Sequence, residues 1–423
     1  MDIGRRINIY RKKNNLKLND IAGASVSPAH LSKIENGYRR PGSATLSAIS
    51  SALKLPMDFF EDYETEDIEV QHVLTQLEQF IITDLSKAGP LIETLEDNYF
   101  NYLSNVSQEI YYLLLKCAYY CKSKQYPKAH YTYDSFVKPY VEGQHLTDAP
   151  VYVHNAFHYC QGIRFYQSSN FEESLSHYSQ FCLEGYSLSV KAAITYNIAV
   201  LSSAVKDYIQ AEKSSQKAIN YYQTLNQESE VSMVYNLIGV LYLNQEKFKQ
   251  ALEALSEAEC RLAKLGNKRM LTQVYHNKGL IMRKTGNQAA ARDYLEKALE
   301  LKVQEGLVAQ KQITYHSLCK TYLELELLDE ANKLYSTAKE EVTQALDDHY
   351  LLEAFLEFYN KTNDHKAYRK SIETCIDFFE QNADKEPLET LYLKLGDHLY
   401  KTGRYKKAAD AYISHISQLE NKS

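Results

Sequence analysis

The chain of 423 residues contains no tryptophan, only 8 prolines and only 15 glycines. Because β-rich domains depend on many tight turns, this scarcity disfavours them and predicts an all-α protein. The chain also has no apolar run near the ~18 residues of a membrane span, and its charged N-terminus is unlike a signal peptide. We therefore expect a cytoplasmic protein that does not contact membrane.

The seven cysteines are odd in number and scattered, which disfavours a disulfide framework and favours buried, reduced thiols. His154 and His158 have metal-ligand spacing, and Cys160 follows closely. However, the position of the catalytic glutamate in a His-Glu-x-x-His site is occupied by Asn155. No phosphate-binding loop, dinucleotide fingerprint or nucleophile elbow is present. We expect no metal, no cofactor and no enzymatic activity.

Residues 1–60 show the pattern of four or five short helices. Pro28 suits the first turn of a helix that Ser27 can cap, and Leu31 and Ile34 supply its inner face. Its outward face then consists of Ala29, His30, Ser32 and Lys33. This head has ten Lys and Arg against four acids, a net charge of +6, whereas the whole chain carries −6 and residues 61–423 therefore −12. A basic head on an acidic body fits a phosphate-binding module. The alternative is a solvated basic face on an ordinary domain.

The body is a repeat with a period near 40 residues. Small residues, six of the eight followed four positions later by a bulky group, recur at spacings of 36 to 45 residues, at Ala129, Ser174, Ala211, Ala251, Ala291, Ala331, Ala367 and Ala408. Stacked helix pairs have this pattern, because the small residue lets two helices pack closely. About eight pairs should cover residues 105–420.

These motifs carry a family resemblance. Ser32-Lys33-Ile34-Glu35-Asn36-Gly37 resembles the end of the recognition helix in lambda-repressor-like (Xre) helix-turn-helix domains, and the body resembles tetratricopeptide repeats. Their order resembles the Rgg/Rap/NprR/PlcR/PrgX family of peptide-sensing regulators, most closely its NprR branch. The resemblance implies a right-handed superhelix of repeats after the head. The expected domains are 1–62 (helix-turn-helix), 63–104 (linker and one joining helix, ending before Gly89-Pro90) and 105–423 (peptide binding and oligomerisation).

The resemblance also implies DNA contacts. Pro28, Ala29, His30 and Lys33 would enter the major groove, while Ser27 and Arg39 or Arg40 would lie near phosphates. Leu18 stands where the family often has a phosphate-binding Gln, so Lys17 or Asn19 would take that role. The full DNA-binding set is Arg5, Lys17, Ser27, Pro28, Ala29, His30, Ser32, Lys33, Arg39 and Arg40.

Peptide-binding candidates follow from the repeat. Asn197, Asn236 and Asn277 fall near one place in successive first helices, and Asn side chains can hold an extended backbone through their donors and acceptors. Further candidates are Asn155, Tyr159, Tyr196, His276, Arg283 and Lys320, of which Arg283 and Lys320 offer charge for a carboxylate. The alternative is that these polar residues only satisfy helix–helix contacts.

The expected function is a quorum-sensing transcription regulator. A short, re-imported signalling peptide would control its oligomeric state, as homodimer or tetramer, and its binding to a double-stranded DNA operator, expected to be an inverted repeat. The alternative is a Rap-like adaptor that binds a response regulator of the sporulation phosphorelay, which can also be a second role of the same protein.

Overall fold

A computed structural model describes residues 3–22, 26–56, 59–60, 65–98, 103, 105–141, 149–382, 384 and 387–420. Within these ranges the chain is almost entirely α-helical and has no β-strand, which confirms the predicted fold class. None of its described helices combines the length and the apolar character that a membrane crossing requires. Contacts divide the chain into two compact units, residues 1–227 and 228–423.

The head is a small bundle around one apolar core. Its helices are α1 (Ile3–Lys13), α2 (Leu18–Ile21), α3 (Pro28–Glu35) and α4 (Ser43–Ala52). The core contains Ile7, Leu31, Ile34 and Ile49, all with no exposed surface. The small residues Gly23 to Ser27 predict a turn after α2, and residues 23–25 of this segment lie outside the described residues.

The segment after the head differs from the sequence prediction. Two helices are present instead of one, α5 (Ile68–Thr83) and α6 (Leu85–Asn98), and Pro90 lies inside α6. Leu74, Leu77 and Ile81 of α5 are fully buried in the core that also contains α7. Apolar spacing therefore continues beyond Asp84, and the segment is a helical hairpin packed against the body.

The body consists of helix pairs in chain order, as the periodicity predicted. In unit 1–227 they are α7 (Val106–Lys122) with α8 (Tyr126–Thr132), a π-helical turn and α9 (Lys138–Val141), then α10 (Val151–Gln167) with α11 (Phe171–Ser179), and α12 (Leu188–Ala204) with α13 (Tyr208–Thr224). In unit 228–423 they are α14 (Glu228–Asn244) with α15 (Phe248–Leu265), α16 (Lys268–Lys284) with α17 (Gln288–Gln304), α18 (Lys311–Glu324) with α19 (Leu328–Glu341), α20 (Ala345–Lys361) with α21 (His365–Gln381), and α22 (Leu388–Lys401) with α23 (Tyr405–Glu420).

Small residues set the distance between paired helices. A Cβ atom added at Gly239 would lie 2.6 Å from the Leu255 side chain, and one added at Gly279 would lie 2.6 Å from that of Leu295. The eight aligned small residues all lie in the second helix of a pair, and Ala251 and Ala291 are fully buried. The repeat period therefore corresponds to the recurrence of small residues where two paired helices pack closely.

The turn inside each pair has one residue in the left-handed region. These residues are Lys124, Ser169, Lys206, Glu246, Gly286, Glu326, Asn363 and Gly403, with φ between 57° and 81°. Only two of the eight are glycine, although glycine adopts this region most easily. The stacked helices on either side hold these turns in place.

Candidate functional site

The recognition helix α3 presents the predicted face to solvent. Ser27 precedes it, and its Oγ accepts a hydrogen bond of 3.2 Å from the backbone N–H of His30. Leu31 and Ile34 are completely buried, which turns the other side of the helix outward. Pro28, Ala29 and Lys33 are exposed, and His30 and Ser32 are half-buried. Pro28, Ala29, Ser32 and Lys33 are accessible to a DNA groove, whereas the Nε2 atom of His30 is enclosed and has no hydrogen-bond partner among the described residues.

Hydrogen bonds to Glu35 and close packing at Gly4 hold α3 against α1. Glu35 is the acidic residue of the Ser-Lys-Ile-Glu-Asn-Gly motif. Its two carboxylate oxygens accept hydrogen bonds from Arg11, at 2.6 Å from Nε to Oε1 and 2.7 Å from Nη2 to Oε2. At Gly4, an added Cβ would lie only 1.8 Å from the carbonyl oxygen of Ile34. Glu35 and Arg11 are thus committed to positioning α3.

Exposed cations flank the recognition helix. Lys17, Arg39 and Arg40 are exposed and can reach phosphates. Arg5 is half-buried, and its Nη1 has no hydrogen-bond partner among the described residues. Tyr38, which the sequence analysis missed, is 84% exposed between Gly37 and Arg39. An aromatic residue beside two arginines was the available signal, since a tyrosine hydroxyl can donate to a phosphate.

A buried ion pair attaches the head to the first repeat. The Arg6 guanidinium donates from Nε to Oε2 of Glu109 at 2.8 Å, donates to the carbonyl of Leu103, and stacks 4.1 Å from the Phe59 ring centre. Glu109 also accepts hydrogen bonds from the hydroxyls of Tyr10, at 2.5 Å, and Tyr140, at 3.0 Å. Arg6 is therefore unavailable to DNA and fixes α1 on α7.

A cavity of about 640 Å³ lies in unit 228–423. Its lining comes from α16, α18, α20 and α22, which are the first helices of four successive pairs. Three of the predicted peptide contacts, His276, Arg283 and Lys320, lie together in it. The wall is part apolar, since Leu280, Ile313, Leu346 and Tyr350 also contribute. A mainly apolar cleft with a few oriented polar groups is typical of a ligand site.

Glu353 is the electrostatic centre of this cavity. His316 Nε2 lies 3.3 Å and Lys320 Nζ 2.7 Å from its Oε2, and Lys394 Nζ lies 3.1 Å from its Oε1. Burial would raise the pKa of Glu353, but the hydrogen bond from His316 and the two lysine charges outweigh it and lower the pKa well below its usual range. Glu353 therefore stays ionised and ties α20 to α18 and α22.

His276 also lines this cavity, and its neutral ring carries an enclosed N–H that is unpaired within the part of the chain that the structure describes. Lys302 Nζ donates to Thr314 Oγ1 at 2.7 Å, so the Thr314 hydroxyl is left to donate to His276 Nδ1, 3.2 Å away. Burial, with the charges of Lys302 and His316, lowers the pKa of His276 to about 3. The neutral ring then carries its proton on Nε2. That atom has no hydrogen-bond partner among the described residues, nor does Gln312 Oε1, which lines the same cavity.

Two of the predicted asparagines contact each other. The amide Nδ2 of Asn277 donates to Oδ1 of Asn236 at 2.9 Å, across the neighbouring first helices α16 and α14. Both side chains are half-buried. Within the described part of the chain, the other amide atoms, Asn277 Oδ1 and Asn236 Nδ2, make no hydrogen bond. The pair thus offers one acceptor and one donor side by side.

The remaining predicted contacts lie in unit 1–227, and two of them are wrong. Asn155 is 1% exposed, and its amide is occupied by the backbone of Cys182, donating to the carbonyl at 2.9 Å and accepting from the N–H at 2.8 Å. Tyr159 is also 1% exposed and packs inside the core. Neither can contact a ligand, because stacked helices cover both. Tyr196 and Asn197 are half-buried.

Glu353, His316 and Lys394 also line the cavity, but they are not among the residues predicted from the sequence. Glu353 was visible as a lone acid within the apolar stretch Leu351-Leu352-Glu353-Ala354-Phe355. His158, which has metal-ligand spacing from His154, is at hydrogen-bond distance from another histidine: its Nδ1 lies 3.0 Å from Nδ1 of His177. The described residues contain no group of three or more His, Cys, Asp or Glu that could hold a metal ion.

Two family models match this chain. A helix-turn-helix model matches residues 7–60, and a tetratricopeptide-repeat model matches residues 272–302, which cover most of α16 and α17. The matches place a helix-turn-helix module at the head and a tetratricopeptide repeat within the body, whose other helix pairs are arranged alike. A comparison with curated proteins found no match.

Solved structures of similar fold specify the architecture further. The apo form of the quorum sensor NprR from B. thuringiensis has 17% identity and a TM-score of 0.69, covering 83% of this chain and 99% of that one. A Rap protein complexed with competence and sporulation factor has 17% identity, a TM-score of 0.65 and coverages of 84% and 99%. Apo RapI has 13% identity, a TM-score of 0.63 and coverages of 83% and 98%. The chain has an NprR- and Rap-like fold, as the sequence resemblance predicted.

Proposed function

We propose that this protein is a cytoplasmic quorum-sensing transcription regulator. Its head binds an operator through α3, and its body binds a short, re-imported signalling peptide that controls oligomeric state and DNA binding. The observation that carries the proposal is the presence, in one chain, of an accessible recognition helix and a cavity built from four successive first helices. The fold likeness to NprR, solved in complex with its cognate peptide NprX, supports it.

The polar groups of the body suit a peptide backbone. His276 Nε2–H and Gln312 Oε1 are an enclosed donor and acceptor, unpaired among the described residues, on two residues that line the cavity, and the Asn236–Asn277 pair offers another of each. A peptide unit presents the same two groups, so these residues can bind a backbone without selecting its side chains. Arg283 and Lys320 add positive charge for a carboxylate of the ligand.

The peptide site is tested by calorimetry. Binders selected from a library of short peptides on the full chain are titrated into the wild type, Asn277→Ala and the control Asn332→Ala, which removes an exposed amide from α19. Losing one or two hydrogen bonds of about 0.5–1.5 kcal/mol each should weaken all binders by about the same factor, up to roughly tenfold per bond. Unchanged affinity in Asn277→Ala would reject the role of the asparagine pair.

The DNA site is tested by footprinting. His30→Ala and Lys33→Ala should abolish sequence-specific protection while the body stays folded, because both residues lie on the outer face of α3. Lys213→Ala, which removes an exposed lysine of α13, is the control. The operator should be an inverted repeat bound by a dimer or tetramer, with half-sites about one helical turn or a multiple apart. Specific binding by a monomer to one unpaired site would contradict this.

A second candidate function is the adaptor that binds a response regulator. The fold likeness to Rap proteins favours it at the level of architecture. Salt distinguishes the two functions, because binding through several phosphates weakens steeply as salt rises, whereas a protein–protein contact responds less. Retention of a response regulator by a chain that binds no DNA at low salt would select the adaptor.

A further inference from the structure

A second cavity, of about 430 Å³, lies at the last pairs of the body. It is bordered by the start of α21 and by the turn between α22 and α23. We call it the C-terminal cleft. Its lining includes His365, Lys366, Arg369, Lys370, His398 and Arg404.

The C-terminal cleft is positive on an otherwise acidic body. Residues 365–373 and 398–407 together contain seven Lys and Arg and one acid, Glu373, whereas residues 61–423 as a whole carry −12. Glu373 is already engaged, because its Oε1 accepts a hydrogen bond of 2.9 Å from Arg369 Nε. A concave surface of one sign concentrates ions of the opposite sign. Lys366, Lys370 and Arg404 are exposed to such an ion.

His398 is the buried polar group of the cleft. It is 8% exposed, and its ring stacks on Tyr368 with 4.7 Å between ring centres. Its imidazole has no hydrogen-bond partner among the described residues, and neither ring nitrogen is fully enclosed, so both are open to solvent. Burial, with the nearby positive groups His365, Arg369 and Lys401, lowers its pKa. A negatively charged ligand in the cleft would accept a hydrogen bond from the imidazole and would offset the positive charge around it.

We propose that the C-terminal cleft binds a small phosphate-type oxyanion. Arg369 and Arg404 offer planar forks that match phosphate oxygens, and Lys366 and Lys370 add point charges. His398 supplies an N–H from the floor of the cleft. The four cations and one acid of the lining leave a positive charge greater than one, which a single carboxylate would not neutralise. This charge favours a multiply charged phosphate. This site lies on different helices from the peptide-binding cavity, apart from α22, and does not depend on the proposed function.

The test is calorimetry of the full chain at constant ionic strength. Pyrophosphate and ADP are each titrated into the wild type, with sodium chloride as the control for screening. We expect saturable 1:1 binding, and addition of pyrophosphate should raise the pKa of His398 measured by NMR. Tighter binding of ADP than pyrophosphate would assign the site to nucleotide phosphates, and the reverse to free phosphate; either supports the site.

Matched variants complete the test. Arg369→Gln combined with Arg404→Gln should weaken pyrophosphate at least tenfold, and His398→Gln should weaken it less. Arg292→Gln is the control, because Arg292 is also a surface arginine with an i,i+4 glutamate, Glu296, on another helix. Absence of saturable binding in the folded wild type, or equal losses in Arg292→Gln, would overturn the proposal. Circular dichroism melting checks that each variant is folded.

Discussion

Gly4→Ala should displace the recognition helix. In the wild type, α1 passes so close to the end of α3 that an alanine Cβ would lie 1.8 Å from the carbonyl oxygen and 2.8 Å from the carbonyl carbon of Ile34. Both contacts are with backbone, so no side-chain rotation can relieve them. α1 and α3 must separate, and α3 carries the proposed DNA contacts.

The expected cost is at the upper end of the range for overpacking. An extra methylene in a well-packed core usually costs about 1–3 kcal/mol, and here the obstacle is rigid, so we expect about 3 kcal/mol. A domain of about 60 residues has roughly 3–9 kcal/mol of total stability. For such a small domain this loss corresponds to about 12 °C or more in the melting temperature of the head.

Hydrogen exchange resolved by segment is the appropriate assay. Protection in α1 and α3 should fall in Gly4→Ala, protection in α14–α23 should stay unchanged, and operator affinity should drop. The control is Gly42→Ala in the same head, where an added Cβ meets no atom within 4 Å. If Gly4→Ala and Gly42→Ala show the same protection and the same operator affinity, the packing of α1 on α3 described here is incorrect.

Three further predictions concern buried charges and a histidine. Glu109→Gln leaves the buried Arg6 charge uncompensated and should destabilise unit 1–227 by about 3–5 kcal/mol, with faster proteolysis between head and body as the readout. Because burial lowers the pKa of His276 to about 3, its contribution to stability is complete above pH 6.5 and is lost as the pH falls towards 3. Near pH 5 the free energy of unfolding, measured by chemical denaturation, should therefore fall by up to about 1.4 kcal/mol per pH unit on acidification, and His276→Gln should remove this dependence. Glu353→Gln should strengthen binding of acidic peptides severalfold by releasing Lys320 and Lys394, whereas the exposed Glu357→Gln should not.

Much of the fold follows from local patterns. The cap at Ser27, the buried Leu31 and Ile34, and the small residues Ala251 and Ala291 all lie where their spacing placed them. His276, Arg283 and Lys320 were predicted to share one surface, and all three line the same cavity, two on α16 and one on α18. Helical periodicity and repeat period are properties of neighbouring residues, so a single sequence reveals them.

The burial of a side chain and the identity of its partner do not follow from local patterns, because both depend on residues far apart in the chain. The sequence by itself determined that the protein is helical, repetitive and basic at its head. Only the tertiary structure decided that Asn155 and Tyr159 are buried, that Arg6 pairs with Glu109, 103 residues away, and that Gly4 meets the backbone of Ile34. Spacing along a helix states which residues share a face, but the neighbour that covers this face is set by the packing of the whole unit.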